Sequence, residues 1–166
     1  MHKKTTLLLA TLTMTLGAAS AQAAEVYSQS AGGACLAQDA AVIGANGPGL
    51  VNLNFDVVHW SCSLVTGPAT VPANLIADVT LYVTDRSPTL GVSASLCFRT
   101  PGSPEVCGAE VSTSGPAVGN GLVLTVPRPA GRFPVGTIAW LSIFVPHNTS
   151  GGAFQVSGVD SWRVNN

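Results

Sequence analysis

Charge is scarce in this 166-residue sequence: charged side chains make up 9% of it, against the quarter typical of soluble domains. No lysine follows Lys4. From Ala24 onward the basic residues are Arg86, Arg99, Arg128, Arg132 and Arg163, set singly among eight acids for a formal net charge of −3. Nucleic-acid binding requires a clustered basic footprint, and membrane-surface binding a basic amphipathic stretch; the sequence has neither. No apolar run reaches the ~20 residues of a spanning helix. The surface must therefore be built largely from Ser, Thr, Asn, Gly and small apolar groups, which suits association, adhesion or life in a protein-rich envelope.

The positive charge that is present comes first. His2, Lys3 and Lys4 precede an apolar or hydroxyl run from Thr5 to Leu16, then Gly17 and the small residues Ala18 to Ala23. Positive, apolar, small is the order read by export machinery and signal peptidase. Ala21-Gln22-Ala23 predicts cleavage after Ala23, with Ala21 as second choice. Residues 1–23 are thus read as a cleaved signal peptide and residues 24–166 as one domain, long enough for a real core. Such a protein is secreted or periplasmic.

Export gives meaning to Cys35, Cys62, Cys97 and Cys107. An even count in an oxidising compartment is most simply two disulfides. Metal sites want close pairs with histidines at ligand spacing, whereas successive separations here are 27, 35 and 10. Four cysteines allow three pairings, and sequence alone does not choose among them. The expected one is Cys35–Cys62 with Cys97–Cys107, because the second closes a short Pro/Gly loop between two strands. Each bridge would contribute about 3 to 4 kcal/mol in the chain-entropy model.

Gly/Pro clusters such as Gly44 to Gly49, Thr84 to Gly91, Thr100 to Pro104 and Pro127 to Gly136 punctuate the chain at intervals that suit strands. Leu75, Ala77, Val79, Leu81 and Val83 alternate with Asp78, Thr80, Tyr82 and Thr84, a half-buried strand. Val92, Ala94, Leu96 and Phe98 repeat the pattern, as do Phe154, Val156, Trp162 and Val164. Between Val51 and Cys62 the apolar parity switches, predicting a β-bulge near Val57-Val58. Thr137 to Val145 is apolar on both parities, predicting a central strand covered on both sides. The sum is an all-β, two-sheet antiparallel sandwich of about eight strands, jelly-roll or Greek-key in style.

Reactive constellations are missing. A serine hydrolase needs a histidine base, and only His59 and His147 are available after the leader. There is no G-x-S-x-G elbow. His59 has Asp56 and Ser61 nearby in sequence, but Asp56 falls on the opposite strand face. Asp78 and Asp160 could meet as a carboxylate pair, although outward solvation is expected, and Asp85-Arg86-Ser87 is too poor in oxygens for calcium. Asn148-Thr149-Ser150 matches a glycosylation sequon and reads better as a polar turn. Most aromatics share parity with apolar neighbours and are expected in the core. Tyr82, on a polar face, and His147, in a loop, are candidate ligand contacts. No cofactor or metal is expected.

The layout resembles that of small exported two-disulfide proteins of Gram-negative bacteria. It has an early cysteine (Cys35), a strand ending in a second (Val58-His59-Trp60-Ser61-Cys62), and a central cysteine strand (Val92 to Phe98). A Gly-led strand ending in proline (Gly136 to Pro146) and a final Val159-Asp160-Ser161-Trp162-Arg163-Val164 strand follow. The resemblance implies fold and compartment, and no functional residues. The function expected is a non-enzymatic binding or structural role in the envelope or outside the cell, toward a protein or glycan. The alternatives are a protease inhibitor presenting Arg99 on the Cys97–Cys107 loop and an extracellular hydrolase.

Overall fold

A computed structural model describes residues 25–30, 34–37, 43–46, 49–53, 56–64, 72–113, 119–147 and 156–166. The expected signal peptide, Phe55, Phe154 and the Asn148 sequon lie outside the described residues.

Described residues form twelve strands: β1 (Glu25–Ser30), β2 (Cys35–Ala37), β3 (Ile43–Asn46), β4 (Gly49–Asn52), β5 (Val58–Ser63), β6 (Asp78–Asp85), β7 (Ser93–Arg99), β8 (Val106–Cys107), β9 (Val111–Ser112), β10 (Gly119–Pro127), β11 (Ile138–Val145) and β12 (Gly158–Asn165). The first sheet runs β10-β6-β12-β4-β3, with β1 also on β12. The second runs β2-β5-β11-β7-β8, with β9 also on β7. Every pairing is antiparallel. The two-sheet sandwich is as expected. The count exceeds eight because β2, β8 and β9 are too short to show a period in sequence.

Alternation decides which side chains face inward. Val79, Leu81 and Val83 of β6 with Trp162 and Val164 of β12 meet Trp60, Leu96, Phe98, Leu141 and Ile143 of the second sheet in one core. Each fully buried side chain of this size contributes about 1.5 to 3 kcal/mol. Both disulfides form with the expected pairing, and each joins residues directly opposite on neighbouring strands. Cys62 faces the core. Cys97 lies opposite Trp140 on the other side of the second sheet.

Three expectations need correction. Val51 to Cys62 is not one bulged strand: β4 belongs to the first sheet and β5 to the second, so the parity switch marks a crossover between layers. Register shifts occur elsewhere, in β1, β10 and β12; in β12 Val159 opposes Val83 and Ser161 opposes Tyr82, leaving Asp160 as the extra residue. Leu75 is not in a strand. It ends a 3-10 turn (Ala73–Leu75) and is exposed.

A further correction concerns the outer face of the second sheet. β11 is central in its sheet, but it is covered on one side only. Ala139, Leu141, Ile143 and Val145 point into the core, while Ile138, Trp140 and Phe144 point outward and remain partly exposed. A sandwich has two layers, so nothing in it can cover both faces of a sheet.

Candidate binding face

The outer face of the second sheet is built from three registers. On β11, Trp140 has Ser63 of β5 on one side and Cys97 of β7 on the other. Ser142 lies between Ser61 and Ser95, and Phe144 between His59 and Ser93. A row of hydroxyls therefore crosses the sheet between two aromatic side chains. Leu36 of β2, 76% exposed, and Ile138, 52% exposed, extend the apolar surface beside Trp140.

Side-chain contacts fix the rings. His59 Nε2 and Ser142 Oγ are 2.7 Å apart. The His59 imidazole stacks on Phe144 with centroids 4.2 Å apart and planes within 5°. With β5 on one flank, the opposite side of Phe144 faces β7. There a shallow well of about 290 Å³ is lined by Phe144, Val57, Leu90, Ser93, Glu110, Ser112 and Pro146. A second well of about 290 Å³ lies on the β5 side of Trp140, lined by Trp140, Ile138, Leu36, Ser61 and Ser63. The wells flank β11 on opposite sides and are four residues out of step, about 13 Å along the strand.

Histidine and serine at hydrogen-bonding distance invite comparison with a hydrolase. A nucleophile and base are not enough: acyl transfer also needs donors aimed at the developing oxyanion. Ser142 lies mid-strand, with ladders to β5 and β7 engaging the backbone on both sides. No loop or helix terminus offers free amides there among the described residues. Asp78 and Asp160 do not pair. Asp78 is held by Asn165 Nδ2 at 2.6 Å and Asp160 by Thr84 Oγ1 at 3.3 Å. Five strand residues, about 16 Å, separate these positions, beyond the reach of a glycosidase pair.

The remaining candidates are scattered. Arg99 is exposed, but it ends β7 with its backbone paired to Ile138 rather than lying at the loop tip. Tyr82 is half-buried on the outer face of the first sheet, between Val123 and Ser161. His147, half-buried just beyond β11, has an enclosed Nδ1 with no hydrogen-bond partner. Among the described residues one group of ligand atoms is compact enough for a metal, Cys97, Glu105 and Cys107. Both sulfurs are committed to the disulfide, so no thiolate is available.

Sequence reasoning missed Ser142, Trp140 and Phe144 as surface residues. The signal was the doubly apolar run of β11, assigned to burial when one parity had to face out. No protein-family model, curated protein or solved structure matches the chain.

Proposed function

We propose that this is an exported, non-catalytic binding protein whose ligand face is the outer face of the second sheet. One observation carries it. The central strand of that sheet turns Ile138, Trp140 and Phe144 outward, although the same fold buries Trp60, Phe98 and Trp162 completely. Exposed aromatic and aliphatic groups clustered on one face mark interaction sites. The opposite face, around Thr80, Tyr82 and Thr84, is mostly polar, with Val123 exposed beside Tyr82 and no aromatic cluster among the described residues. Two disulfides suit an oxidising compartment, in agreement with the leader-like residues 1–23 and a periplasmic or extracellular place of action.

Inhibition through Arg99 is less well supported, because an inhibitory arginine needs an extended backbone free to lie along a protease. Hydrolysis by Ser142 and His59 lacks oxyanion donors. Cosedimentation of the purified mature protein with Gram-negative envelope fragments tests the proposal. Retention should fall in the double variant Trp140→Ala/Phe144→Ala and persist in Arg99→Ala. Retention unchanged in the double variant would overturn it. So would esterase activity lost in Ser142→Ala, or trypsin inhibition lost in Arg99→Ala.

A further inference from the structure

We infer that the occupant of this face is a neutral polysaccharide chain, which rests on the outer-face binding role proposed above. Each well combines an aromatic side chain with serine side chains: Trp140 with Ser61, Phe144 with Ser93 and Ser112. A sugar ring has the matching chemistry, a C–H face that packs on an aromatic ring and a rim of hydroxyls that exchange hydrogen bonds.

Charge narrows the class. Among the described residues, Glu110 is the only ionisable one lining either well, and Arg99 stands at the margin beside Ile138. With one exposed carboxylate, one marginal arginine and the His59 ring on Phe144, the described face has no cluster of either charge to complement a polyanion or a polycation, and the fitting glycan is uncharged. The serines weigh against purely apolar occupants. A lipid chain, or a second copy laid face to face, would bury hydroxyls against hydrocarbon, which is unfavourable for each one left unpaired. The spacing narrows it further. Each well, about 290 Å³, falls at the small end of ligand sites, and the offset of about 13 Å along β11 means that one monosaccharide cannot fill both. A chain crossing β11 obliquely passes over Ser142, whose hydroxyl is fixed by His59.

The test uses the mature, oxidised protein in pull-down with microcrystalline cellulose, chitin and starch granules, and with heparin-agarose as the anionic control. Expected is retention on at least one neutral polymer that survives about 0.5 M salt and is released by its soluble oligosaccharides more readily than by the monosaccharide. Trp140→Ala and Phe144→Ala should each weaken binding about tenfold or more. Leu36→Ser, at a side chain too exposed to endanger folding, should weaken it less, and Tyr82→Phe on the opposite sheet should leave it unchanged. Retention on heparin alone, abolished by salt, overturns the inference. Binding to none of the neutral polymers also overturns it. In that case envelope retention lost in the double variant would leave the binding face standing with another ligand, and retention kept would remove both.

Discussion

The hydroxyl of Thr113, at the end of β9, donates to the buried carboxylate of Asp85, at the end of β6. The same carboxylate accepts from Ser87 N at 3.0 Å, Val92 N at 3.3 Å and Ser157 Oγ at 3.3 Å. One side chain thereby ties the crossover from β6 to β7 onto elements of both sheets. Gly91 belongs to the same knot: a β-carbon there would come within 2.1 Å of the Thr113 carbonyl oxygen.

Asp85→Ala should therefore destabilise the protein by about 3 kcal/mol, because it leaves buried donors without an acceptor. Arg86→Ala, the next residue, loses an exposed contact to Asn120 and should cost under about 0.5 kcal/mol. Urea denaturation monitored by tryptophan fluorescence compares the two. Equal effects would show that Asp85 is not the tie.

Trp60 and Trp162 are fully buried, yet neither indole N–H has a hydrogen-bond partner among the described residues. An unpaired buried donor costs about 1 to 3 kcal/mol. Trp162→Phe removes that penalty while losing some packing, so its net effect should be within about 1 kcal/mol of zero. Trp162→Ala, which leaves a large cavity, should cost about 4 kcal/mol. Thermal or urea unfolding of the two variants checks the contrast. A Phe variant as damaged as the Ala variant would mean that packing alone holds this position.

How far the sequence exposes this fold depends on where periodicity is long enough to be read. β6 and β7 alternate over seven or eight residues and are plain. The pairing of Cys97 with Cys107 follows from a short loop between strands. β4 and β5 run together as one strand in sequence because a crossover and a bulge flip parity alike; only the sheet assignment separates them. The reverse happens at Val159, whose odd parity against Trp162 and Val164 is the real bulge, at Asp160. The proposed binding face is half legible. Its aromatics were visible in Thr137 to Val145, but the joining of Ser142 to His59 depends on register between strands 83 positions apart, which no local pattern carries.

Reading residues 1–23 as an export leader makes export and oxidation a coupled prediction. Purified from the periplasm or medium, the protein should begin at Ala24 and contain no free thiol. Leu9→Arg places a charge in the apolar run that the export machinery requires, and should leave an uncleaved precursor in the cytoplasm with its cysteines reduced. Intact mass after thiol alkylation reads both properties at once. A precursor that is cleaved and oxidised despite the arginine would refute the export route.

The two disulfides should differ in how easily they are reduced. Each bridge has one fully buried cysteine, Cys62 or Cys97, so the difference lies in the partners, and Cys35 is half-buried. Cys107 is exposed on β8, and mild reductant should cleave Cys97–Cys107 first. Glu105 slows even that attack: its Oε1 lies 3.1 Å from Cys107 Sγ. A carboxylate at that distance repels an incoming thiolate and disfavours the thiolate that must leave. Glu105→Gln should accelerate reduction of this bridge several-fold at low ionic strength, with the advantage shrinking as salt screens the charge. Timed quenching with an alkylating reagent and peptide mapping gives the rate for each bridge. Unchanged kinetics in Glu105→Gln, or earlier loss of Cys35–Cys62, would show that access rather than charge, or neither, governs the exposed bridge.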